Sequence, residues 1–128
     1  MSAPMRRIMI IEDNADNRLL LNAILGDAFA ISEHANGPDG LAALATELPE
    51  IVLLDISLPG MDGVEVLRHI RASADFRHLP VIAFTAHAMN DDRSKFLGHG
   101  FDDYITKPIV DETILLGSIG RLLDRFPA

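Results

Sequence analysis

Short apolar runs recur along this chain, and each one stops at a polar residue. Ile8-Met9-Ile10-Ile11 runs into Glu12-Asp13, Ile51-Val52-Leu53-Leu54 into Asp55, and Val81-Ile82-Ala83-Phe84 into Thr85. The weaker Asp103-Tyr104-Ile105-Thr106 runs into Lys107, and a short strand near Phe29-Ala30-Ile31 completes the set. Between the runs, apolar residues return at helical spacing. Leu19, Leu20, Ala23 and Ile24 follow a cap at Asn14 or Asp16 and end near Gly26. Leu41, Leu44, Ala45 and Leu48 follow the turn residues Asn36 to Gly40 and stop at Pro49. Val64, Leu67 and Ile70 follow the Pro- and Gly-rich loop Ser57 to Gly63; Phe96 and Leu97 follow Asn90-Asp91-Asp92 and run to Gly98 or Gly100. Ile114, Leu115, Ile119, Leu122 and Leu123 mark a last helix. Strand-like runs alternating with helical segments predict βαβ units, hence an α/β fold with a five-stranded parallel sheet. Ile51 to Leu54 is apolar throughout, as expected of a strand covered by helices on both faces.

If the runs are neighbouring parallel strands, their polar ends meet at the carboxyl edge of one sheet, where open α/β folds place ligands. Glu12, Asp13 and Asp55 would crowd three negative charges together, a costly arrangement that a hard cation resolves. Mg²⁺ suits an oxygen donor set, keeps several waters and is held by one or two carboxylates plus phosphate oxygen. Asp13 and Asp55 are the better direct ligands, and Glu12, with its longer arm, reaches the ion through a water. Lys107 pairs with Asp55 when the site is empty and with a phosphoryl oxygen when it is filled. Pro108 after it makes a cis peptide an option. Thr85, followed by small Ala86, offers a hydroxyl and an accessible N–H.

Composition narrows the classes. At 128 residues the chain has a single-domain length, with a core expected over about residues 6–125 and no room for an output domain. A formal charge of −8, with no basic run, disfavours direct nucleic-acid binding. The absence of cysteine excludes disulfides and thiolate metal sites; with no signal-peptide pattern, a cytoplasmic protein is expected. No apolar stretch approaches the roughly 18 residues of a membrane span.

The segments "IIEDN", "VLLDISLPGMDG", "VIAFTA" and "DDYITKPI" together resemble the receiver domain of two-component response regulators, over nearly the whole chain. The resemblance implies a flavodoxin-like, doubly wound (βα)5 fold. It makes Asp55 the acceptor of a phosphoryl group from a histidine kinase or histidine phosphotransfer protein. It also implies Mg²⁺ held by Asp13, Asp55 and the backbone carbonyl of Ser57, with Glu12 assisting, while Thr85 and Lys107 contact the phosphoryl oxygens. Thr85 and Tyr104 then form the switch, and the fourth helix, fifth strand and fifth helix form the face that binds a downstream protein, with Met89, Phe96 and Ile109 as contacts. Ser57 and His87 match positions that tune phosphoryl lifetime. Asn14, Asn17, Arg18 and Leu21 on the first helix resemble the donor-docking surface of hybrid-kinase receivers and single-domain regulators. The implied role is that of a signalling switch, which promotes only its own phosphorylation and dephosphorylation.

Three other readings share parts of this pattern. A haloacid-dehalogenase-like phosphohydrolase wants a second Asp two residues after the nucleophile, where Ser57 stands. A flavodoxin-like module needs an anion-accepting loop where Glu12 and Asp13 would repel phosphate. A pseudo-receiver, acting without phosphate, would lack an essential residue, and none is missing.

Overall fold

The computed structural model describes residues 5–86, 92–109 and 111–125, the side chains of 92–94 and 125 excepted. His87 and Met89 lie outside the described residues. Among the described residues ten elements alternate: β1 (Arg7–Ile11), α1 (Ala15–Leu25), β2 (Ala30–His34), α2 (Gly37–Glu47), β3 (Ile51–Asp55), α3 (Gly63–Ala72), β4 (Val81–Thr85), α4 (Asp92–His99), β5 (Asp103–Thr106) and α5 (Glu112–Arg125). The strands form one sheet in the order β2-β1-β3-β4-β5, and every pairing is parallel. This is the expected doubly wound sheet. Its topological switch lies between β1 and β3, where the chain has gone out to one edge and returned to build the other.

The period-2 geometry of a strand divides the apolar runs between two cores. Ile8, Ile10, Ile51, Leu53, Ile82, Phe84 and Ile105 pack beneath Leu21 and Leu25 of α1 and Leu115, Ile119, Leu122 and Leu123 of α5. Met9, Ile11, Val52, Leu54, Val81 and Ala83 pack on the other face, beneath Leu44 of α2, Val66, Leu67 and Ile70 of α3 and Phe96 of α4. The central strands must serve both layers, so β3 and β4 are buried along their whole length.

Asparagine and aspartate start three helices by accepting an N–H three residues on: Asn14 from Asn17 at 3.0 Å, Asn36 from Asp39 at 2.8 Å, and Asp62 from Glu65 at 2.9 Å. In the second case the polar segment read as a turn is already helix, since α2 begins at Gly37 with Pro38 in its first turn. Leu19 and Leu20 also depart from the sequence reading. They are 71% and 40% exposed, and α1 packs instead through Leu21 and Leu25, one position round the helix. Ile114 likewise faces solvent.

Arg71, at the end of α3, ties the far edge of the sheet together. Its guanidinium donates to the carbonyls of Leu79 and Gly100 and pairs with Asp102 at 3.0 Å, while Asp102 accepts the N–H of Val81. The start of β4 and the entry to β5 are thereby fixed to one helix.

Candidate functional site

The strand register brings the polar run-ends to one place. Asp55 is the last residue of β3 and Thr85 the last of β4, while Glu12 and Lys107 directly follow β1 and β5. All emerge at the carboxyl edge, on four adjacent strands. Glu12 is fully buried, Asp55 is 2% exposed and Thr85 is buried, whereas Asp13 is exposed. Adjacency in sequence thus turns Glu12 inward and leaves Asp13 at the rim. Carboxylate oxygens of Glu12, Asp13 and Asp55 lie within 4.8 Å of one another.

The Lys107 ammonium sits between two of these acids, 2.8 Å from Glu12 Oε1 and 3.1 Å from Asp55 Oδ2. The expected Lys107–Asp55 pair is present; the pairing with Glu12 was not legible in the sequence. Lys107 is further held by its own N–H, which donates to the Thr85 carbonyl at 2.7 Å, and its ammonium lies 4.9 Å from the Phe84 ring centroid. The Lys107–Pro108 peptide is cis.

Asp55 Oδ1 accepts the Ser57 N–H at 2.9 Å. Behind it the chain returns closely: the Gly63 N–H donates to the Ile56 carbonyl, and a Cβ on Gly63 would stand 2.4 Å from the Asp55 carbonyl oxygen. Gly63 is therefore part of the site's construction, and its place in the Pro- and Gly-rich loop is the only sequence signal for it.

Electrostatics separate the two buried acids. Burial, and after it the adjoining Asp55 carboxyl, push Glu12 up from 4.5 to about 7, against the donors Lys107 and Asn17. Burial also works to raise Asp55. The neighbouring Glu12 carboxyl, the Ser57 N–H and the Lys107 ammonium overcome it, and the Asp55 pKa is lowered. Burial disfavours the charged form of Lys107, but its two carboxylate partners outweigh this and hold the ammonium protonated.

A hard divalent cation fits these residues. The donors are all oxygen, and Glu12 Oε2 is buried with no hydrogen-bond partner among the described residues, leaving a lone pair for an ion or its bound water.

Around the site, α1 reaches back toward Glu12. Asn17 Nδ2 donates to Glu12 Oε1 at 2.6 Å, and Arg18 Nη1 donates to the Glu12 carbonyl at 2.7 Å. On the other side, the half-buried Tyr104 ring lies 5.9 Å from that of Phe96. Phe96 is itself buried, so it belongs to the core under α4 and not to an exposed contact surface. Ile109 is partly buried against the α1/α5 core.

Residues 8–117 match the response regulator receiver domain family. The chain belongs to that family. Response regulator PleD of Caulobacter vibrioides is 39% identical over 121 residues, covering 94% of this chain and 26% of PleD. The chain thus spans about a quarter of that relative's length. A 14.6 kDa protein of Leptolyngbya boryana is 40% identical over 121 residues, 94% of this chain and 92% of its own. Among solved structures, the receiver domain of sensor histidine kinase PA1611 from Pseudomonas aeruginosa PAO1 superposes with a TM-score of 0.84 at 30% identity, covering 94% of this chain and 98% of that one. That structure has a magnesium ion coordinated in its active-site cleft. This chain is a receiver domain of two-component signalling with the five-stranded parallel fold of its relatives. No helix among its described residues is long and apolar enough to cross a membrane.

Proposed function

We infer that this receiver takes a phosphoryl group on Asp55 from a phosphohistidine donor and reports it to another protein. The observation that carries this reading is the Lys107 ammonium held 3.1 Å from Asp55 Oδ2 on a buried carboxylate whose pKa is lowered. An ionised carboxylate is the form with an electron pair to offer phosphorus. In the transfer, the donor's P–N bond breaks, an Asp55 Oδ–P bond forms, and the imidazole leaves with the electron pair and takes a proton. Such transfer needs in-line positioning and neutralisation of charge on the phosphoryl oxygens more than covalent assistance from the protein. Lys107 and the Thr85 end of β4 border the space those oxygens would enter.

Asp13, Asp55 and the Ser57 carbonyl would hold Mg²⁺ directly, with Glu12 acting through a water. The ion would supply further neutralisation of phosphoryl charge. The donor is a histidine kinase or histidine phosphotransfer protein. The chain acts as a signalling switch with no other substrate to turn over, and it works in the cytoplasm. Ser57, and His87 by its sequence position alone, match places where receivers tune the lifetime of the phosphoryl group, and the same role is proposed for them.

Strand parity supports the switch. Thr85 shares the α2–α4 side of β4 with Val81 and Ala83, and Tyr104 lies on that side of β5, paired in register with Ala83. When Thr85 is drawn toward a phosphoryl group, the Tyr104 ring would turn inward toward the space it vacates, altering the face made by α4, β5 and α5. Incubation with Mg²⁺ and acetyl phosphate, or a beryllium fluoride mimic, tests the reading by intact mass and NMR. Wild type should gain one phosphoryl group or show mimic-induced shifts, and Asp55→Asn neither. An inert wild type, or an unchanged response in Asp55→Asn, would sink it.

A further inference from the structure

One side chain of α1 is oriented in a way that helix formation does not require. Asn17 is at the third helical position after the cap Asn14, whose side chain already accepts the Asn17 N–H and whose carbonyl accepts that of Arg18. At this position a Glu or Gln would reach back to the cap's own N–H. The Asn17 amide instead donates to Glu12 Oε1 at 2.6 Å, the same oxygen that accepts from Lys107. Two donors therefore claim Oε1, while Oε2, in the cluster shared with Asp13 and Asp55, is buried with no hydrogen-bond partner among the described residues.

We propose that Asn17 is a positioning residue for the metal step: it fixes the rotation of the Glu12 carboxylate so that Oε2 faces the cation or its water. Arg18 secures the other end of the same residue through the Glu12 carbonyl, so the first turn of α1 grips Glu12 at carboxylate and backbone together. The choice of a neutral amide matters. A second ammonium or guanidinium beside Oε1 would satisfy the carboxylate and compete with the cation, whereas an amide orients it without adding charge. Partners of a direct metal ligand typically carry about 10-fold or more in metal affinity, and Asn17, which acts through a water-linked Glu12, carries a smaller share. The inference rests on the phosphoryl-transfer reading only for the use to which the ion is put.

The test is titration of the isotope-labelled protein with Mg²⁺ alone, followed by NMR, on wild type, Asn17→Leu and Asn17→Gln. Asn17→Leu should raise the Mg²⁺ Kd by about 3-fold, less than the loss of the Glu12 carboxylate itself. Asn17→Gln, which keeps an amide donor, should lose less. At saturating Mg²⁺ the rate of Asp55 phosphorylation by acetyl phosphate in Asn17→Leu should return to within about twofold of wild type, the mark of an effect exerted through binding. An unchanged Kd in Asn17→Leu overturns the assignment, as does an equal loss in both variants, or a rate that stays depressed at saturation. A wild type that binds Mg²⁺ but takes no phosphoryl group overturns the proposed function and leaves the Kd comparison to judge Asn17. A wild type that binds no Mg²⁺ overturns both.

Discussion

Glu12 is a carboxylic acid that its own fold resists ionising. Its folded-state pKa of about 7 lies above the ordinary 4.5. The protonated form therefore contributes stability that is full below pH 4.5 and is lost as pH rises through about 7. Asp55 has the opposite sign: its pKa is lowered, so its contribution is present above the unfolded carboxylate range and lost in acid. In the proposed metal site, the cation would bind beside the ionised form of Glu12 and displace its proton. The Mg²⁺ Kd should accordingly fall as pH rises from 6 toward 8 and level off above the Glu12 pKa. In Glu12→Gln the dependence over that range should flatten and the affinity should drop by about 10-fold, both measurable by calorimetric titration. Gly63 acts by absence of a side chain. In Gly63→Ala the new Cβ would meet the Asp55 carbonyl oxygen at 2.4 Å and Ile56 Cα at 2.7 Å, both backbone atoms that cannot rotate away. A loss of about 1–3 kcal/mol in denaturant unfolding is expected, with slower phosphorylation of the displaced Asp55.

At the level of elements, α2 ends on a residue that pays for its conformation. Leu48 caps the helix at φ 48°, ψ 59°, in the left-handed region, with 52% of its surface exposed; its N–H donates to the Leu44 carbonyl and its carbonyl accepts Arg7 Nε at 2.9 Å. Glycine adopts this geometry without the Cβ penalty, so Leu48→Gly should raise stability by about 0.5–1 kcal/mol in urea unfolding. The elements themselves were largely legible. Ile8 to Ile11 and Ile51 to Leu54 are read as strands because burial on both faces leaves no polar position to blur them. The β2 strand was weaker in sequence because it is an edge strand, half-exposed, with Ser32 and Glu33 among its residues. Leu19 and Leu20 were misread because i, i+4 spacing fits more than one face of a short helix, and only packing against the sheet selects Leu21 and Leu25. In the site, Asp55 and Lys107 were legible as run-ends that must converge. The Glu12–Lys107 pair and the Asn17 contact were not, because they depend on how an inward-facing carboxylate shares its two oxygens, which spacing does not encode.

The whole molecule is needed to make the site. Glu12 and Lys107 are separated by 95 positions and meet only when β1, β3, β4 and β5 stand side by side. The ammonium that bridges them is one of two lysines in the chain, and the other, Lys95, is exposed. A protonated, ion-paired amine is a poor nucleophile, so the two should differ widely toward an acylating ester. Lys95 should react promptly and Lys107 slowly, by peptide-level mass spectrometry. Asp55→Asn should quicken the second reaction and denaturant should abolish the difference. The scarcity of lysine thus turns a buried ion pair into a covalent clock, by which assembly of the strand ends can be timed without any ligand at all.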